Sequence, residues 1–326
     1  MDYVVLIVGF VLLTFSADWL VNGASGLAKR LKISDLVIGM TVVAFGTSTP
    51  ELVVNLVAAL NGTSEIAITN IVGSNTINTM IILGLAAVIY PLTAQKSTIR
   101  VEMPLSILAG VMVLVLGMDY VPIGKAGHTA IGISRWDGVL LLLIFAVFMI
   151  HSIQLSRKQF APILEVESEA NAIVPVKLMP IWKAVLLVIV GLAGLVIGGE
   201  LIVDRAVKIA YSWGVSEAIV GVTVVALGTS LPELATSVIA AIKKNADIAV
   251  GNVIGSNIFN VFFVLSTSSV IKPLASYPNL PMDAGIAALS SLMVFFFVLG
   301  KKHTIHRWQG ALLLLVYAGY LYWTLA

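Results

Sequence analysis

The chain has 326 residues, of which 59% are hydrophobic and only 11% charged, and its mean hydropathy is +1.03. A soluble protein of this length could not bury that much apolar side chain, so the composition excludes an ordinary globular class and specifies a polytopic membrane protein in a lipid bilayer. The net charge of +2 decides nothing by itself, and the absence of cysteine excludes disulfides and thiolate metal sites.

Apolar stretches long enough to cross about 30 Å of hydrocarbon at about 1.5 Å per residue lie in chain order near 3–27, 36–60, 66–90, 101–118, 136–155, 181–204, 217–242, 247–271, 282–300 and 307–325. The first has no basic region ahead of it and is too long for a cleaved signal peptide, so it is expected to stay as a transmembrane helix. Ten spans divide into halves of five. Arg135, Trp136 and Gly138 in the fifth resemble Arg307, Trp308 and Gly310 in the tenth, and the tryptophans suit the membrane interface. The expected organisation is a first repeat over 1–155, a short linker over 156–180 and a second repeat over 181–326.

The repeat is explicit in the middle of each half. A constant offset of 182 aligns residues 39–80 with 221–262 without a gap, and 20 of those 42 positions are identical. The identities gather in GTSTPE (46–51) and GTSLPE (228–233), and downstream where Asn70, Gly73, Ser74, Asn75 and Asn78 match Asn252, Gly255, Ser256, Asn257 and Asn260. Five is odd, so two like-folded halves in series enter the membrane from opposite sides. The expected fold is therefore all-α, with ten transmembrane helices as two inverted five-helix repeats.

The basic residues set the orientation. Of 19 lysines and arginines, 14 fall on the side of Lys29, Lys96, Lys183 and Lys243, and 5 on the side of Lys125, Arg205 and Lys272. The positive-inside bias makes the first side cytoplasmic and places both termini outside, in a plasma or inner membrane.

Glu51 and Glu233 are ionisable groups within apolar spans, which are costly there and so mark function. On a helix, Thr47 and Ser48 share a face with Glu51, and Thr229 and Ser230 with Glu233. Pro50 and Pro232 lack an amide hydrogen, so the helices are expected to open near Gly46 and Gly228, freeing carbonyls near Ala44 and Ala226 as ligands. Ser74 with Asn78, and Ser256 with Asn260, add oxygens at i and i+4. Asn70, Asn75, Asn252 and Asn257 are read as braces for the broken helices, and Asp18, aligned with Glu200, as a brace between spans one and six.

The constellation offers carboxylate, hydroxyl, amide and carbonyl oxygens, with no histidine or cysteine. Oxygen-only coordination selects hard cations and suits Ca²⁺ better than Mg²⁺, which resists dehydration. Two carboxylates are neutralised by one Ca²⁺ or two Na⁺, so one cage can hold either cargo in turn, as an antiporter requires.

These motifs, with SADWLVNG in span one, resemble the calcium/cation antiporter superfamily, and most closely its prokaryotic sodium/calcium exchanger branch. The resemblance implies four ion sites among spans two, three, seven and eight, with Glu51 and Glu233 holding Ca²⁺ and Na⁺. Thr47, Ser48, Ser74, Thr229, Ser230 and Ser256 would complete the sodium sites, with Asn78 nearby, while spans one and six slide to alternate access. Some members, potassium-dependent exchangers among them, carry aspartate where Asn260 stands; asparagine removes that third charge. The expected function is secondary exchange of Na⁺ for Ca²⁺, with these ions as substrates and no cofactor, nucleic acid or obligate protein partner. A proton-coupled exchanger using the same glutamates is the alternative, and the eight hydroxyl and amide side chains argue against it. A channel is less consistent with an internal antiparallel repeat, and no enzyme motif is present in the spans.

Overall fold

The computed structural model describes residues 2–122, 129–170, 178–213, 226–300 and 302–325. It is built from long helices, because in a bilayer every backbone N–H and C=O must be paired within the protein. In chain order they are α1 (Asp2–Leu31), α2 (Asp35–Thr47), α3 (Thr49–Asn61), α4 (Ser64–Ile89), α5 (Thr98–Leu116) and α6 (Arg135–Ala170). There follow α7 (Ile181–Ser212), α8 (Ala226–Thr229), α9 (Leu231–Ile242), α10 (Ala246–Ile271), α11 (Leu280–Val298) and α12 (Arg307–Leu325).

Among the described residues, seven helices are long and apolar enough to span a membrane, and the bent pair α2 and α3 makes an eighth. The expected span over 217–242 is described only from 226 onward, as α8 and the 12-residue α9. Helix α6 continues past the expected boundary at 155 into the stretch read as a linker. Apolarity reports where a helix leaves the bilayer, not where it stops, since its hydrogen bonds are internal in water as well.

The bend between α2 and α3 is 46° and falls at Ser48, whose backbone (φ −83°, ψ 9°) leaves the helical region just before Pro50. Ser230 (φ −89°, ψ 6°) interrupts α8 and α9 in the same way before Pro232. The breaks therefore sit two residues after the glycines where they were expected. The carbonyl of Ala44 is not released either: it accepts from the Ser48 amide at 3.0 Å and the Thr47 hydroxyl at 3.3 Å. The acceptor that loses its i+4 amide to a proline is Gly46, four residues before Pro50.

Two further irregularities match across the halves. Helix α4 widens to π geometry at Asn78–Ile82, and α10 does so at Asn260–Leu265. Each widening begins at the last asparagine of the repeated motif. Helix α10 is the most enclosed element, with 94% of its apolar window buried, against 33% for α1 and α7.

Helices α1 and α7 pack antiparallel along a glycine seam. A Cβ on Gly23 would stand 2.8 Å from the Ala184 carbonyl, one on Gly191 would stand 2.8 Å from the Leu20 amide, and one on Gly198 would stand 3.1 Å from the Leu13 amide. At the ends of the bundle, β1 (Leu92–Thr93) pairs antiparallel with β5 (Thr304–Ile305), and β2 (Tyr120–Pro122), β3 (Thr129–Ile133) and β4 (Leu274–Ala275) form a second small sheet. Helix α5 runs from one sheet to the other, so the two lie at opposite ends. Arg135 donates to the Ile271 carbonyl at the end of α10, and Arg307 to the Ile89 carbonyl at the end of α4, each at 3.2 Å. These guanidinium groups cap the last carbonyls of the two most enclosed helices.

Candidate cation site

The helix breaks bring the two repeated motifs face to face. Glu51 is 1% exposed and Glu233 0%, and each carboxylate is held by a serine from the other half: Ser48 donates to Glu233 Oε1 at 3.0 Å, and Ser230 to Glu51 Oε1 at 3.5 Å. Thr47 donates to Asn252 Oδ1 at 3.2 Å and Thr229 to Asn70 Oδ1 at 3.5 Å, a second reciprocal pair. Every donor in these pairs is 182 residues from its counterpart, and so is every acceptor.

The asparagines form a third reciprocal set. Asn75 Nδ2 reaches the Asn257 carbonyl at 3.2 Å, Asn78 Nδ2 reaches Asn257 Oδ1 at 3.1 Å, and Asn260 Nδ2 reaches Asn75 Oδ1 at 3.0 Å. Asn75 and Asn257 thus join α4 to α10. Asn252 braces locally, donating to the Glu233 carbonyl at 3.2 Å and to Ser237 at 2.9 Å.

Once these bonds are made, a set of buried atoms has no partner among the described residues: Glu51 Oε2, Glu233 Oε2, Asn78 Oδ1, Asn260 Oδ1 and the Ser74 hydroxyl. An unpaired buried polar atom costs about 1–3 kcal/mol, and more where it is charged. Four of the five can only accept, so a cation is among the groups that would satisfy them together. Hard oxygen donors in that number fit Na⁺ or Ca²⁺.

The halves are not equal in detail. Ser256 donates to Glu233 Oε1 at 3.4 Å, whereas its counterpart Ser74 makes no such bond. Ala226 is the first described residue of α8, and Ala44 lies buried in α2 with its carbonyl already accepting. Asp18 pairs with Lys243 at the end of α9 at 2.7 Å rather than with α7. Its aligned residue Glu200 lines a cavity of about 470 Å³ that also touches Pro50, Asp204, Thr229 and Pro232. Sequence reasoning did not single out Asn55, fully buried with both amide atoms unpaired; its spacing of four residues from Glu51 was the available signal.

A membrane-embedded pair of buried carboxylates, framed by hydroxyl and amide oxygens from two matching halves, defines an ion-transporting membrane protein. The profile of the family described as sodium/calcium exchanger protein matches residues 1–154 and 183–326. The chain is 37% identical to the putative antiporter CaxA of Alkalimonas amylolytica over 97% of this chain and 96% of that one. It is 29% identical to the sodium/calcium exchanger MaX1 of Methanosarcina acetivorans over 98% and 97% of the two, and 36% identical to the inner membrane protein YrbG of Escherichia coli over 98% and 96%. Its structure superposes on that of the sodium-calcium exchanger NCX_Mj, soaked with Na⁺ and Ca²⁺, with a TM-score of 0.80 at 31% identity, covering 97% of this chain and 96% of that one. This chain belongs to the sodium/calcium exchanger family.

Proposed function

We propose that the protein exchanges Na⁺ for Ca²⁺ by alternating access through one central site. The observation that carries this reading is the set of orphaned oxygens on Glu51, Glu233, Asn78, Asn260 and Ser74. Glu51 and Glu233 supply the charge, and Thr47, Ser48, Thr229, Ser230 and Ser256 complete the oxygen cage. Ala226 is the backbone ligand proposed; the Ala44 carbonyl, which already accepts from Ser48 and Thr47, would have to give up one of those bonds to join it. With two carboxylates, one Ca²⁺ or two Na⁺ neutralises the site, and the empty state, holding two uncompensated charges, is the one that resists occlusion.

The reciprocal bonds between halves and the antiparallel seam of α1 and α7 support two inverted repeats, 1–155 and 181–326, of five spans each, ten in all. Both termini then lie outside the cytoplasm. The glycine seam lets α1 and α7 move as one unit across the motif helices. At three Na⁺ per Ca²⁺ each turnover moves one net charge. A tenfold sodium gradient then contributes about 4 kcal/mol and 100 mV about 2.3 kcal/mol, enough to export Ca²⁺ against about four decades.

The test is calcium uptake into sodium-loaded liposomes diluted into sodium-free, pH-clamped buffer, beside a Glu51→Gln, Glu233→Gln variant. Uptake that needs the sodium gradient, survives a proton uncoupler and is lost in the variant is the expected result. Uptake driven only by a pH gradient would transfer these carboxylates to a proton exchanger, and flux without any counter-ion would overturn antiport.

A further inference from the structure

A third carboxylate is buried away from the central site. Glu102 is 1% exposed at the start of α5, and its Oε2 has no hydrogen-bond partner. Thr98, one turn earlier and 0% exposed, lies beside this carboxyl group, and its hydroxyl has no other partner among the described residues. No salt bridge among the described residues reaches Glu102. Lys96 and Arg100, the nearest bases in the chain, are exposed.

The opposite half solves the same problem differently. Aligning 102–113 with 283–294 matches Glu102 to Asp283, and α5 packs on α11 where Ser106 meets Ser291 at 3.4 Å. The Asp283 carboxylate is satisfied by two hydroxyls, Tyr277 at 2.8 Å and Tyr320 at 3.0 Å. Among the described residues Glu102 has the Thr98 hydroxyl alone beside it. Besides that hydroxyl it has a π-helical segment, Thr98–Glu102, that loosens the backbone around it. Two of the other π segments of this protein, Asn78–Ile82 and Asn260–Leu265, begin at residues of the central site.

We propose that Glu102 and Thr98 form a second cation site, for one Na⁺, at the end of α5 next to β1. One monovalent ion neutralises one carboxylate, and hydroxyl oxygens suit a hard cation. Glu102 is four residues into the helix, about 6 Å from its end, so the ion reaches it through the 94–97 connection rather than through the central cage.

The experiment uses the purified full chain carrying Glu51→Gln and Glu233→Gln, so that binding is read independently of transport and of the central carboxylates. Sodium is titrated against choline at constant ionic strength and pH, and Tm is followed. The expected result is a sodium-specific rise of about 2–4 °C at saturation, lost when Glu102→Gln is added. Should that variant not fold, Thr98→Val is expected to raise the half-saturating sodium concentration several-fold. A sodium response unchanged by both substitutions, or no sodium response at all, overturns the proposal. A Tm that follows pH equally in sodium and choline also overturns it, by giving Glu102 a proton instead.

Discussion

Ser48 and Glu233 lie 185 residues apart in the chain, yet the serine hydroxyl donates to the carboxylate at 3.0 Å, from the break between α2 and α3 to the first turn of α9. The bond crosses from one half of the protein to the other and has a looser counterpart, Ser230 to Glu51 at 3.5 Å. Each carboxylate therefore takes a hydroxyl from the half to which it does not belong, and Ser256 adds a bond to Glu233 from its own half.

Replacing Ser48 by alanine removes this hydroxyl, the shortest bond to Glu233 Oε1, and leaves the longer one from Ser256 at 3.4 Å. A hydrogen bond to a charged group contributes about 1.5–3 kcal/mol, so the half-saturating sodium concentration for exchange is expected to rise about tenfold. Ser230→Ala, which removes the longer bond, is expected to have the smaller effect. Sodium titrations of calcium flux in proteoliposomes check the order.

Asn260→Asp places a third carboxylate in a buried site and replaces an amide donor to Asn75 Oδ1 by an acceptor. Two acceptors then face each other unless a proton or cation intervenes. The variant is expected to make exchange steeply dependent on pH or potassium where the parent is not. Flux measured across pH 6–8 in potassium and in choline distinguishes the two.

At Gly191 a Cβ would stand 2.8 Å from the Leu20 amide and 2.9 Å from the Ser16 carbonyl, both rigid backbone atoms. Gly191→Val must push α1 away from α7, at about 1–3 kcal/mol of stability. Exchange is expected to fall by more than the folded fraction does, because the seam itself is deformed. Flux normalised to the folded fraction from size-exclusion chromatography tests this.

Arg135 and Arg307 make matching bonds of 3.2 Å to the last carbonyls of α10 and α4. A cation at a helix C-terminus contributes about 0.3–1 kcal/mol. Arg135→Gln and Arg307→Gln are each expected to lower Tm by a few degrees with little change in sodium or calcium dependence. Thermal unfolding beside transport assays separates the two effects.

Much of the site was legible because it rests on local chemistry repeated twice. Glu51 and Glu233 stand out through the cost of a carboxylate in an apolar span, and the hydroxyls through i−4 and i−3 spacing on one helical face. The position of the helix breaks was less legible. Proline announces a break, but Ser48 and Ser230, not the glycines, adopt the non-helical backbone. The π segments were not legible, since nothing in NTMII or NVFFVL differs in composition from an ordinary helix. Glu102 also escaped notice, because at the edge of a span a lone glutamate reads as solvated.

The sequence by itself determined the membrane class, the duplication and the identity of the paired carboxylates, because hydropathy, a constant offset and ionisable residues in apolar runs are properties of the chain alone. Only the tertiary structure decided which oxygens are left over. Asn75 and Asn257 are spent on joining α4 to α10, while Asn78 Oδ1 and Asn260 Oδ1, from the same motif, have no partner among the described residues. The physical reason is that whether a buried polar atom is satisfied depends on what the other half of the chain brings within about 3 Å of it, and no spacing along one strand of sequence contains that distance.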